Sequence, residues 1–346
     1  MKPLSFFIAM LLAGVASATD ITFLAMGDPQ YGGGKPDKND FQIAAMNAVT
    51  GLVWRTTNRP VGQPLGVLIA GDLTQNGQDG RPGSSDEIGQ FMNDYGLVGE
   101  KKLKWPVYEG YGNHDFDPAE PAKSLTEWRV MYPGNSTPAA DAVAKRNAHR
   151  KGLTGTAPGK AGHYSWDWDG VHFVNVNLKP SDTLSAKDGQ MKRDPRGALT
   201  FLREDLAKQV GKSGRPVVIM QHYGFDEFST EPRWWTEAER EAFGRVVTNY
   251  NVIAIVHGHD HGTSTYKWNG ITVINAGSPF YDGDGRGHLT VVRITDDLLE
   301  AADVSWDAVT KGAMPQWGGW DIRIPRKCSA SLRTQQASGL RSPATD

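Results

Sequence analysis

Five short polar blocks, each at the end of an apolar run, constrain this chain more than anything else in it. They are Asp28-Pro29-Gln30, Gly71-Asp72, Gly112-Asn113-His114-Asp115, Gln221-His222 and Gly258-His259-Asp260-His261. The preceding runs (21–26, 66–70, 105–108, 217–220 and 252–256) are of strand length, mostly apolar and rich in β-branched residues. Near-continuous apolar strands belong to sheets covered on both faces. Ligands of open α/β sheets gather beyond the carboxyl ends of the strands. The pattern therefore predicts one shared site assembled from distant parts of the chain. Its carboxylate, carboxamide and imidazole groups are the ligand types that hold divalent or trivalent metals.

Helical patterns alternate with the runs. Asn39 or Asp40 can cap a helix over 41–54, and Ser84-x-x-Glu87 reads as a capping box before Ile88, Phe91 and Tyr95. Asp194-Pro195 opens a helix carrying Leu199, Leu202, Leu206 and Val210; Thr236-x-x-Glu239 starts another with Phe243 and Val247. Asp169-Gly170 and Asn269-Gly270 sit between strand-like runs as hairpin turns. The segment 117–162 is loop-rich, with a short helical patch near Leu125, Trp128 and Met131, and could overhang the site. The order argues for an α/β sheet that turns strand-rich in the last third.

At 346 residues, 39% hydrophobic and 22% charged, the chain suits one large domain with inserts. A net charge of −2 leaves no nucleic-acid footprint. Lys2, the apolar run 4–15 and Ala16-Ser17-Ala18 read as a signal peptide over 1–18, so a secreted or periplasmic protein with no membrane span after cleavage is expected. Cys328 is the single cysteine, so no intramolecular disulfide forms; it lies in a polar tail (326–346) expected to be disordered.

The five blocks, in this order, resemble the calcineurin-like metallophosphoesterase superfamily, whose signature reads D-x-H, G-D, G-N-H-[DE], H and G-H-x-H. The resemblance runs from about Ile21 to Val292, with Gln30 standing where the commonest pattern has His. It implies a four-layer α-β-β-α sandwich, with two facing mixed sheets and helices outside. It also implies two metal ions (Mn, Fe or Zn), one held by Asp28, Gln30, Asp72 and His261, the other by Asp72, Asn113, His222 and His259. The implied reaction is phosphoester hydrolysis, in which a metal-bridging hydroxide attacks phosphorus. His114 is then the candidate general acid, and Asp115 its orienting partner.

Protein phosphatases of this superfamily extend the second block to G-D-x-x-D-R-G. Here Gln75 and Asn76 replace the Asp and Arg, which argues against that type and makes a phosphodiester of small or lipid-derived origin the expected substrate. Asn76 and Tyr223 are candidate substrate contacts. Tyr223, Phe225, Phe228, Trp234 and Trp235 could wall an apolar leaving group, although core packing is the plainer role for such a set. His257 reads as a packed histidine, and His149, His163, His172 and His288 as structural. A nonspecific phosphomonoesterase and a non-catalytic metal-bound binding protein are the alternatives.

Overall fold

The computed structural model describes residues 18–33, 36–80, 85–116, 138–183, 194–279 and 286–326. Among them the strands are β1 (Asp20–Met26), β2 (Val67–Ile69), β3 (Val107–Glu109), β4 (Leu153–Thr156), β5 (Tyr164–Trp168) and β6 (Val171–Asn175). They continue as β7 (Val217–Met220), β8 (Val252–His257), β9 (Thr263–Trp268), β10 (Ile271–Ala276), β11 (Gly287–Thr295), β12 (Leu298–Trp306) and β13 (Gln316–Pro325). The helices are α1 (Pro36–Ala48), α2 (Glu87–Asp94), α3 (Pro138–Asn147), α4 (Ala198–Asp205) and α5 (Glu237–Val247).

The strands form two mixed sheets, one ordered β13-β12-β11-β1-β2-β3 and the other β4-β5-β6-β7-β8-β10-β9. Period-2 alternation divides their side chains between two cores. Phe23 and Ala25 of β1, Val218 and Met220 of β7, and Ala254 and Val256 of β8 share the core between the sheets. Their neighbours Leu24, Met26, Val217, Ile219 and Ile255 face Ile43 and Met46 of α1, Leu202 of α4 and Phe243 of α5. Burial on both faces explains why these runs are apolar at every position. The architecture is the expected sandwich.

Both hairpins form, β5 with β6 and β9 with β10. The Thr236–Glu239 capping box also forms: Thr236 N–H donates to Glu239 Oε2 at 2.8 Å and Glu239 N–H to Thr236 Oγ1 at 3.4 Å.

Other helix boundaries differ from the sequence reading. Pro36, with φ already set for a first turn, starts α1 ahead of Asn39 and Asp40. Those side chains instead bind the Pro29 carbonyl (2.7 Å) and Lys102 Nζ (2.8 Å). The N-cap of α2 is Asp86, accepting Gly89 N–H at 2.9 Å, because Glu87 is drawn to the Asn76 loop. Asp194 caps Arg196 N–H at 2.8 Å, so α4 begins only after Gly197 and then continues as a π-helical turn (Leu206–Val210).

The second half of the 117–162 segment is not loose, since it carries α3 and β4. The patch near Leu125, Trp128 and Met131 lies outside the described residues, as do residues 1–17 of the expected signal peptide and most of the tail with Cys328. No helix among the described residues is long and apolar enough to cross a membrane.

Candidate metal centre

All five blocks leave the carboxyl ends of parallel strands: β1, β2 and β3 in one sheet, β7 and β8 in the other. Hydrogen bonding continues past the strands, from Asp28 N–H to the Gly71 carbonyl (3.0 Å) and from Gln30 N–H to the Asp72 carbonyl (2.9 Å). Gly258 N–H donates to the His222 carbonyl at 3.1 Å in the same way. Asp28, Gln30, Asp72, His259 and His261 all adopt positive φ, between 37° and 80°. Left-handed backbone at non-glycine residues is uncommon and concentrates at functional sites. Here it turns each side chain back over the sheet ends.

The ligating atoms of Asp72, His222 and His259 lie within 4.8 Å of one another. His222 Nε2 is 3.3 Å from Asp72 Oδ1 and 3.0 Å from Asn113 Oδ1. Its Nδ1 donates to the Ala70 carbonyl at 2.7 Å, which fixes the ring with Nε2 facing the cluster. Asp28 accepts His259 N–H at 3.0 and 3.2 Å, and His261 Nε2 stands 3.8 Å from Asp28 Oδ1. Gln30 is buried beside them, its backbone tied to Asp72. The structure thus brings all seven predicted ligands to one end of the sandwich.

The electrostatics suit a cation. Burial lifts the Asp28 carboxyl to about 6, with His261 and His222 pulling it back down. Burial also acts against ionised Asp72, but the charges of His222 and His114 outweigh it and hold that carboxyl well below the usual range. Burial disfavours charged His222, yet Asp72 raises it to about 9. Asp72 Oδ2 is buried with no hydrogen-bond partner among the described residues. A desolvated carboxylate oxygen left bare is costly unless a cation meets it. The donor set fits the N- and O-ligated first-row metals.

The block glycines give the ligands room. A Cβ on Gly112 would stand 2.2 Å from Asp72 Oδ1 and 2.6 Å from His222 Nε2, and one on Gly258 would stand 2.6 Å from Asp28 Oδ2. Gly112→Ala is therefore expected to lower metal affinity at least about 10-fold while leaving the far-ultraviolet circular dichroism unchanged; full metal retention would refute this packing role.

His114 N–H donates to Asp72 Oδ1 at 2.8 Å, and its Nδ1 donates to the Gln75 carbonyl at 3.0 Å, which turns Nε2 outward. Asp115 does not take the orienting role expected of it. Its carboxylate accepts Leu73 N–H (3.1 Å), Thr74 N–H (3.0 Å) and Gly112 N–H (2.8 Å), clamping the second block to the third. Orientation of His114 falls to Gln75, through a backbone carbonyl that leaves no sequence signal. Asn76 is likewise turned away from a substrate role, since its side chain and N–H bind Glu87 at 2.9 and 2.8 Å.

Tyr223 is buried with its ring 4.5 Å from that of His259. The aromatic set divides: Phe225 and Trp235 pack against Phe243 in the core, whereas Tyr223, Phe228 and Trp234 surround His259. His257 is buried and bonded to Tyr266 Oη at 2.9 Å and to the Gly258 carbonyl at 2.8 Å, as a packed histidine should be.

A dimetal phosphatase from Danio rerio shares the fold at a TM-score of 0.51 and 14% identity, covering 88% of this chain and 98% of that one. GAP50, the anchor in the inner membrane complex of Plasmodium, does so at a TM-score of 0.52 and 11% identity, covering 93% and 95%. A search of curated protein sequences returned no match. The calcineurin-like phosphoesterase model matches residues 21–263. Fold and site together define a metal-dependent phosphoester hydrolase. The chain belongs to the calcineurin-like phosphoesterase family.

Proposed function

We propose that the protein is an exported, two-metal phosphodiesterase acting on small or lipid-derived phosphoesters. The observation that carries hydrolysis is the convergence of Asp72, His222 and His259 within 4.8 Å at the sheet ends. By the family resemblance, Asp28, Gln30, Asp72 and His261 would hold one metal and Asp72, Asn113, His222 and His259 the other, with Asp72 shared. Metals held by these residues would supply charge to neutralise the phosphate oxygens and to acidify a water nucleophile. The chain supplies the rest. His114, held at Nδ1 by Gln75, presents Nε2 to the leaving oxygen and donates the proton it needs, a step worth about 10²–10⁴-fold.

The tie between Asn76 and Glu87 supports the diester reading. The position where protein phosphatases place a phosphate-clamping Arg is occupied here by a side chain engaged elsewhere, so the site has less reason to demand a dianion. Lys2, the run 4–15 and Ala16-Ser17-Ala18 support export.

The test is hydrolysis of paired chromogenic mono- and diesters by metal-stripped protein reconstituted with Mn, Zn or Fe. Faster diester cleavage is expected. Faster monoester cleavage would replace this reading with a scavenging phosphomonoesterase, and turnover of neither with two metals bound would favour a binding protein.

A further inference from the structure

Three rings close on the imidazole of His259. Tyr223 lies 4.5 Å away, Phe228 is stacked at 4.8 Å and 27°, and Trp234 meets it edge-on at 4.8 Å and 82°. Tyr223 is buried, Trp234 half-buried and Phe228 39% exposed. No other aromatic side chain among the described residues is as open to solvent. An open aromatic ring costs solubility and is usually withdrawn; this one lies directly against a ligand of the centre. The Arg233 guanidinium, paired with Glu231 at 2.7 Å, lies 4.9 Å from the Trp234 ring and 5.7 Å from the Phe228 ring, so it braces both rings.

The loop that carries these rings is braced along its length. Asp226 accepts Ser229 N–H at 2.8 Å and Ser229 Oγ at 2.6 Å, and its carbonyl accepts Thr230 N–H at 3.0 Å. Further along, buried Lys179 donates to the Trp234 carbonyl at 3.0 Å and pairs with Glu239 at 2.9 Å. A flat apolar wall already fixed in place loses little entropy when it receives a ligand.

We infer that Phe228 and Trp234 form a specificity subsite that takes a flat apolar or aromatic substituent of the phosphoester. This rests on the phosphoester reading of the same centre. The phosphoryl oxygens face the candidate metal ligands while the substituent meets the solvent-exposed part of the Phe228 ring beside the Arg233 guanidinium, next to His259 but outside the ligand cluster. Tyr223, beneath His259, is the floor of the wall and not a contact for the substituent.

Titration calorimetry of the zinc-reconstituted protein with phenylphosphonate and with methylphosphonate, alongside its metal content, tests the inference. Phenylphosphonate should bind about 3- to 10-fold more tightly, the worth of one aromatic contact. Phe228→Ala should erase that preference, and Phe228→Tyr should keep it. Equal affinities in the unaltered protein overturn the subsite. So does a Phe228→Ala variant that binds both ligands equally less well or loses metal, because the ring would then serve only to shield His259. Phenyl preference without ester turnover would sink the hydrolase reading and leave the subsite standing; turnover without phenyl preference would do the reverse.

Discussion

Asp72→Asn should empty the centre of one metal ion and reduce turnover by at least about 10²-fold, with the fold intact. The side chain keeps its size but loses the charge that His222 and His114 stabilise. Its Oδ1 now accepts His114 N–H and faces His222 Nε2, and its Oδ2 has no partner among the described residues. An amide fills that place poorly. Either its NH₂ points at a donor already present, or its oxygen does and the NH₂ occupies the position meant for a cation. Metal content by plasma emission and turnover on the better chromogenic ester should fall together. A variant that keeps both metals and full turnover would show that the assignment of this centre is wrong.

Glu109→Ala should destabilise the protein by about 3–5 kcal/mol, the usual consequence of removing one partner from a buried ion pair. Glu109 ends β3 fully buried and holds Arg146 of α3 at 2.7 Å and Arg150 at 2.8 Å. Arg150 is itself enclosed, with the Tyr108 and Tyr164 rings 5.1 and 4.9 Å from its guanidinium. Without Glu109 its charge has nowhere to go. Burial acts to raise the Glu109 carboxyl, but Arg146 and Arg150 outweigh it and hold it below its ordinary value. A depressed carboxylate adds stability above its unfolded-state pKa and loses it as pH falls through the folded one. The gap between the two proteins should therefore be widest near neutral pH and close on acidification. Urea midpoints across that pH range measure it, and a gap independent of pH would refute the ionic account.

Much of the site was legible because its residues are local punctuation. Where an apolar run stops at Asp, Asn or His, the chain has reached the sheet end, and β1, β2, β7 and β8 lie where their runs predict. The candidate ligand blocks follow them directly. Contacts that depend on distant backbone were not legible. Asp115 sits beside His114 in sequence, yet it is turned away by Leu73 and Thr74, some forty residues earlier. Asn76 is claimed by Glu87 in the same way. The start of α1 at Pro36, and the whole of α3, were missed for another reason. Pro36 and Pro138 open helices whose first turns hold few large apolar residues, so proline rules there and apolar periodicity says little. The aromatic set after His222 showed its composition in the sequence but not its division into core and mouth.

The left-handed backbone at five of the seven candidate ligand positions sets heat resistance against activity. An L-residue with a Cβ pays roughly 1 kcal/mol for such a conformation, and glycine does not. Replacing Gln30 or His261 by glycine should therefore relieve the metal-free chain even as it dismantles the centre. A laboratory selection that scored only survival on heating would drift towards proteins that fold better and do nothing. Keeping these side chains against that drift requires either selection for turnover or a resident metal whose binding energy makes the strained form the more stable one.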